Sequence, residues 1–398
     1  MISYEKMDKK ISFVLVFLLC ILLVNYTFKD LFNIVNPMIR GLISLFFMSI
    51  VGILYLANLS LVLKRIGNYF LLTYIFFITI FLMNLLIFPE IKQYLPETLF
   101  WFFIICLPTA LYYLAIQDKK IFLEMLLKSA YLQLLIGLFF IVSFFIRGTG
   151  NVYDMVFSYH ISIPVILLLY KFFRERSVLD LILVVLGVLS ILMIGSRGPL
   201  LSIIVFILLS ILFQTYGRRK EGKSILFSLL IGVLISFGLL YLDKIIIMLE
   251  RIFTSLGVDS RTLRIFTNDN IDFSTGRGPI YDATKEKILE NPLWGHGILG
   301  DREFLNGTYP HNLFLELLAQ FGIILGSILI IIFFVYTFLS FINKYKAERD
   351  LALLFFSIGV VQLFVSNTFW MSYNFWLFLA VCISSVHLPK RYKERESY

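Results

Sequence analysis

The stretch Gly41–Leu63 reads GLISLFFMSIVGILYLANLSLVL and carries no charge over a length that matches the hydrocarbon core of a bilayer. Lys64 and Arg65 close it. Lipid offers no partner for a bare backbone N–H or C=O, so such a segment must be helical. Comparable runs recur at 11–28, 69–88, 99–117, 125–146, 157–173, 178–195, 198–215, 224–242, 312–340, 351–369 and 372–388. The chain of 398 residues is 59% hydrophobic and 15% charged, with mean hydropathy +0.88. That is too little charge to cover a soluble domain, so the surplus apolar length must face lipid. The expected fold is all-α and polytopic, with about 12 transmembrane helices. Two close pairs, 178–195 with 198–215 and 351–369 with 372–388, fit either a tight hairpin or one broken helix.

The first apolar run follows Lys6, Lys9 and Lys10 as a secretory signal would, but Asn25, Tyr26 and Phe28 end it with no small-residue cleavage site. It is expected to be retained. The net charge of +9 would point to nucleic acid in a soluble protein. Here its placement matters more. Lys64-Arg65, Lys119-Lys120, Lys171/Arg174/Arg176, Arg218-Arg219-Lys220 and Lys344/Lys346/Arg349 fall in alternate connections. The N-terminal lysines and the tail Lys390/Arg391/Lys393/Arg395 fall on the same side. The positive-inside rule makes that side, and both termini, cytoplasmic, and no nucleic-acid partner is implied. Cys20, Cys106 and Cys382 lie in separate apolar runs, without the spacing of a disulfide framework or a zinc site. No Gly-rich nucleotide loop appears.

The chain therefore divides into helices 1–9 (1–242), a long connection (243–311) that the topology puts outside the cytoplasm, and helices 10–12 with a basic tail (312–398). The long connection holds ten acidic and eight basic residues, five of them arginine: Arg251, Arg261, Arg264, Arg277 and Arg302. Short amphipathic helices are expected over Ile246–Ser255 and Pro279–Glu290, the second with Pro in its first turn and Asn291-Pro292 as its stop. Gly295, Gly297 and Gly300 read as a flexible turn before the next span. A long connection of this kind can be a lid on the headgroups, or it can carry function.

Three details favour function. Gly195-Ser196-Arg197-Gly198-Pro199 joins two apolar runs on the outer face. An arginine there can snorkel to lipid phosphate, but flanking Gly and Pro also expose backbone N–H groups beside a guanidinium, which suits a bound phosphate oxygen. Ser274-Thr275-Gly276-Arg277-Gly278-Pro279 repeats that chemistry just before a helix N-terminus, where the dipole also favours anions. His311 stands where the connection re-enters the membrane, between Pro310 and Asn312. A lone histidine there can simply cap a helix; a neutral imidazole can also accept a proton near neutral pH. Glu316 follows five residues on, off the face of His311, as a candidate orienting group.

External arginines with a histidine, and neither a metal cluster nor a nucleotide motif, point to an anionic, lipid-borne, already activated substrate. A polyprenyl-pyrophosphate glycan meets those conditions. Arginines would neutralise the leaving pyrophosphate, and the histidine would take the proton of the attacking hydroxyl in a single inverting displacement.

These residues also carry a family resemblance. Gly195-Ser196-Arg197-Gly198, Thr275-Gly276-Arg277, Glu290-Asn291-Pro292-Leu293-Trp294-Gly295-His296-Gly297, and His311-Asn312 followed by Gly322 and Gly326 resemble the bacterial O-antigen ligase/polymerase superfamily, which includes Wzy-type polysaccharide polymerases. The resemblance covers about 195–326. It implies a GT-C-like membrane glycosyltransferase of the bacterial cytoplasmic (inner) membrane that needs no metal or other cofactor and works on the outer face. It implies catalytic or pyrophosphate-binding roles for Arg197, Arg277 and His311. Arg261 and Arg264 match no motif and are offered as second-phosphate contacts, with Asn312 and Glu316 as further substrate-binding candidates. His296 lies in the Gly-rich turn and is not assigned a catalytic role.

The expected function is a polysaccharide polymerase that moves a growing glycan from polyprenyl pyrophosphate onto a lipid-linked repeat. The extra arginines suit two anionic substrates. A ligase passing finished glycan to a different acceptor is the alternative; from another class, so is a lipid-linked oligosaccharide flippase or other transporter, though the two halves show no internal repeat. An inert scaffold would leave the arginines and histidine without a role. Expected partners are polyprenyl-pyrophosphate glycans and membrane lipid, with flippase and chain-length regulator proteins beside them.

Overall fold

The computed structural model describes residues 4–32, 34–147, 154–217, 242–255, 257, 260, 263 and 277–387. Among them the only regular structure is helical. The expected span 224–242, apart from its last residue, lies outside the described residues, as do Arg218-Arg219-Lys220, Arg261, Arg264, Ser274–Gly276 and the basic tail.

Helix α1 covers Tyr4–Leu31, and α2 covers Pro37–Ile87. Two expected spans, 41–63 and 69–88, share α2. Its continuity is broken at Ile66 (φ −134°, ψ 26°), as it must be: 51 unbroken residues would reach about 77 Å at 1.5 Å per residue, far beyond a bilayer core. The run Pro89–Ala115 is wound unevenly, as a 3-10 turn to Tyr94, α3 (Leu95–Phe100), a π turn to Cys106 and α4 (Leu107–Ala115). Helix α5 spans Lys119–Arg147, α6 Met155–Glu175, α7 Val178–Ile194 and α8 Arg197–Gly217. After α9 (Leu242–Ser255) come α10 (Gly278–Glu290), α11 (Gly300–Phe304) and α12 (Leu313–Phe341). The chain then forms α13 (Lys346–Phe355) and α14 (Tyr373–His387). Among the described residues six helical runs are long and apolar enough to cross a membrane: Tyr4–Leu31, Pro37–Ile87, Pro89–Ala115, Lys119–Ser143, Met155–Glu175 and Leu313–Phe341. Val178–Ile194, Arg197–Phe213 and Tyr373–His387 are apolar but shorter.

Both close pairs resolve into separate helices. Gly195 ends α7 in the left-handed region (φ 79°), and α8 starts two residues later at Arg197. Helix α13 runs on through a π turn (Phe356–Val360) and a 3-10 turn (Val361–Phe364), and a stretch with one more 3-10 turn (Phe369–Met371) then leads to α14. Gly359 permits that route: a Cβ there would strike the Asn374 carbonyl.

The chain forms two compact units. One comprises 18–48 and 124–271. Asp154 caps α6 by accepting from the Phe157 N–H (3.0 Å), and Ser177 caps α7. Lys171 donates to the Tyr131 hydroxyl (2.5 Å), which donates to Asp180 (2.5 Å), so α5, α6 and α7 share one partly buried polar contact. Phe253 and Leu263 pack with Leu189, Leu192 and Met193, fastening α9 and the chain after it to the end of α7.

The other unit comprises 1–17, 49–123 and 272–398. Its decisive feature is a break in α12 at Gly322 (φ 74°, ψ 173°), a conformation essentially reserved for glycine. The Pro292–Gly297 turn enters that break. Ile323 N–H donates to the Pro292 carbonyl (2.7 Å), His296 N–H to Ala319 (2.9 Å) and Gly297 N–H to Gln320 (3.0 Å). Gly295, Gly297 and Gly300, expected as a flexible turn, form a docked one. Gly295 and Gly297 have positive φ, and a Cβ on Gly295 would meet the Gln320 carbonyl. Asn84 of α2 holds the next residue from both sides, accepting from Ile298 N–H (2.7 Å) and donating to its carbonyl (3.1 Å).

Gly322→Ala should therefore destabilise the protein by at least about 1–3 kcal/mol, through backbone strain and a clash with the Leu293 carbonyl. Gly41→Ala and Gly52→Ala, where the added methyl meets open space, should leave the detergent-solubilised melting temperature unchanged or higher. Equal melting temperatures for all three variants would contradict the interlock.

Candidate active site

Arg277 is the N-cap residue of α10, with Pro279 in the first turn of that helix, close to the expected boundary. Its guanidinium is thus carried at the positive end of a helix dipole, where an anion is doubly favoured. His311 precedes α12, and Asn312 caps it by accepting from the N–H groups of Phe314 (3.0 Å) and Leu315 (3.2 Å). Pro310 stiffens the approach, and His311 itself takes a positive φ (53°), a strained conformation for a residue with a side chain.

Arg277 lies near enough to His311 for its charge to bear on the imidazole. Burial first, and the nearby Arg277 charge second, push the His311 imidazole down to about 4. At neutral pH it is uncharged and able to accept a proton. Its Nδ1 is buried with no hydrogen-bond partner among the described residues. The Tyr309 ring lies 4.3 Å from the His311 ring, and the Arg302 guanidinium sits over the same tyrosine ring, 5.4 Å from its centroid. Burial also pushes the Tyr309 phenol up, with Glu316 adding to the effect and Arg302 and Arg277 opposing it.

Beneath Tyr309 lies a polar network that the sequence reading did not find. Arg302, only 4% exposed, donates to both oxygens of Asp301 (2.9 and 2.8 Å) and to Thr368 (2.9 Å), with Glu316 at 3.5 Å. Glu316 is fully buried and accepts from the Thr368 hydroxyl (2.5 Å). Gln320, one turn on, donates to Asp301 (2.6 Å) and accepts from Trp370 (2.8 Å). Two buried carboxylates share one guanidinium, so the trio lacks a positive charge unless it holds a proton. Burial pushes the Asp301 carboxyl up against the pull of Arg302. Glu316 Oε2 is buried with no partner among the described residues. The available signals were Glu316 and Gln320 one helical turn apart in an apolar helix, and the Asp301-Arg302 pair.

The other expected site residues are placed as follows. Asn312 and Glu316 have structural partners, the helix end and Arg302. Arg197 opens α8 in the other unit, half-buried, with Gly195 and the buried Ser196 before it. Arg261 and Arg264 lie outside the described residues. His296 is engaged by the Lys287 carbonyl at Nε2 (2.8 Å). Among the described residues no group of three His, Cys, Asp or Glu is disposed to hold a metal ion.

Arg302→Ala should cost about 3–5 kcal/mol, because it strands two buried carboxylates. Glu316→Gln keeps an acceptor for Thr368 and relieves the charge imbalance, so its cost should stay within about 1 kcal/mol. Thermal unfolding in detergent separates the two; equal losses would refute the charge assignment.

Residues 182–330, which contain Arg197, Arg277, His311 and the break in α12, match the family model described as O-antigen ligase. No curated protein and no solved structure matches the chain. The family match supports the chain's membership of the bacterial O-antigen ligase/polymerase superfamily.

Proposed function

We propose that the protein is a polysaccharide polymerase of the bacterial cytoplasmic membrane, moving a growing glycan from polyprenyl pyrophosphate onto a lipid-linked repeat at the outer face. The observation that carries the reading is the pairing of Arg277, at a helix N-terminus, with an uncharged His311 whose Nδ1 is unpartnered. In the transfer, the acceptor hydroxyl attacks the anomeric carbon while the bond to the pyrophosphate oxygen breaks. The hydroxyl proton goes to His311 Nδ1, and the electron pair of the broken bond leaves with the pyrophosphate, held by Arg277. A single displacement inverts the anomeric carbon. The chain's own groups supply base and counter-charge, so the step is written without a metal. A bound pyrophosphate also offsets the Arg277 charge, and His311 becomes a stronger base once substrate is present.

On the family resemblance Arg197 is proposed as a phosphate-binding residue, and Arg261 and Arg264 as further phosphate contacts. Asn312 and Glu316 contribute by holding the start of α12, next to the substrate. The proposed topology has twelve crossings and cytoplasmic termini, with the 243–311 connection outside, and it places flippase and chain-length regulator proteins as neighbours. A second reading is favoured by the description of the matched family: a ligase that passes the finished glycan to a different acceptor.

Deleting the gene in its host and profiling surface and lipid-linked glycan tests the proposal. Single repeats accumulating with long chains lost are the expected result. Long chains stranded on the carrier would indicate the ligase, and repeats trapped on the cytoplasmic side a flippase. An unchanged profile would refute glycan transfer. In complemented strains, His311→Ala and Arg277→Ala should reproduce the deletion at normal membrane abundance.

A further inference from the structure

Arg302 belongs to the same connection as Arg277, and by charge alone it could serve a phosphate. Its position argues otherwise. Its guanidinium is spent on Asp301 and Thr368, and reaching an external anion would leave two buried carboxylates unpaired. What Arg302 does offer Tyr309 is its charge, set over the ring 5.4 Å from the centroid. Tyr309 in turn packs against His311, the rings tilted by 51°. Pro310, between the two, holds Tyr309 to extended backbone and fixes its own φ. His311 needs such support, since its positive φ persists only if its surroundings over-determine it.

We infer that Tyr309 is a positioning residue for His311, held by the buried Asp301–Arg302–Glu316–Thr368 network, and that it aims Nδ1 and keeps water off the imidazole. This rests on the proposed role of His311 as the base. Side-chain order thus passes from the core of the unit, through a guanidinium and a phenol ring, to the proton acceptor. The charged groups bearing on this stack come from several elements. Arg277 of α10 acts on His311. Arg277, Arg302, Glu316 and Glu97 of α3 act on Tyr309. The ring, not the hydroxyl, is the part of Tyr309 that meets both neighbours, so phenylalanine should replace it and small side chains should not.

The test is a pH titration of His311 by NMR on the full chain in nanodiscs, with histidine ring carbons labelled and the chain's four histidines assigned by substitution. In the unsubstituted protein the midpoint should lie near 4. Tyr309→Phe should keep that midpoint and the host's glycan chain lengths. Tyr309→Ala should admit water and move the midpoint up toward the ordinary 6.5. It should also lower turnover by up to about 100-fold, the scale of a displaced catalytic group, with little change in acceptor KM. Tyr309→Leu, which fills the volume without a ring face, serves if the alanine variant fails to fold, and should also raise the midpoint. Arg302→Lys, which keeps the charge but loses the planar fork, should fall between. An unmoved midpoint in both Tyr309→Ala and Tyr309→Leu, or a phenylalanine variant as impaired as they are, would overturn the inference. If the midpoints behave as expected but His311→Ala still makes long glycan, positioning stands and the catalytic reading fails.

Discussion

The backbone bonds between the Pro292–Gly297 turn and the open rungs of α12 are the constraint on which the rest of this unit depends. A helix broken inside an apolar segment exposes N–H and C=O groups that lipid cannot satisfy. Here the turn supplies them, through Pro292, His296 and Gly297. In return α12 orients the chain on both of its sides: α10 ends just before the turn, and His311 stands just before the first residues of α12. Glycine is required on both sides of the contact, at Gly295 and Gly322, because the backbones meet where a Cβ would sit.

That interlock puts charge in an unusual place. Glu316 and Gln320 lie in the short segment of α12 ahead of the break, where they meet Asp301, Arg302, Thr368 and Trp370. A network this deep is stabilising only if nearly every member is satisfied. Its one surplus carboxyl gives it a stake in holding a proton. Beyond it lies the Arg302–Tyr309 contact, and the same tyrosine ring touches His311. An isolated histidine at a membrane rim would rotate and titrate near its ordinary value; this one is held and kept neutral.

Much of the architecture was legible because bilayer thickness imposes a length that few other constraints mimic. The apolar runs mark the long helices, and Pro279 with the Asn291-Pro292 stop marks α10 to within a residue at its start. What hydropathy could not register was the form of the breaks: the Lys64–Asn68 connection is a kink at Ile66 within one helical run rather than a loop, and α12 is broken in mid-run without any loss of apolar character. Gly322 was recognised as part of a motif, but its reason is a contact with residues about thirty positions earlier. The same holds for the site. Arg277 and His311 could be singled out from local chemistry. Thr368 and Trp370 could not, since their significance lies in being folded onto Arg302, Glu316 and Gln320 from a distant segment. Asn312 and Glu316 drew attention as polar residues near a histidine, and in the fold they serve the helix end and the buried network.

The central claim is that an uncharged His311 and a helix-borne Arg277 carry out one displacement at an anomeric carbon. The most direct measurement is the anomeric configuration of the product, read by NMR, when purified protein in nanodiscs is given a polyprenyl-pyrophosphate glycan of known anomer in the presence of a chelator. The account predicts transfer with inversion, and none with His311→Ala. Retention of configuration, or full transfer by the alanine variant, would contradict it.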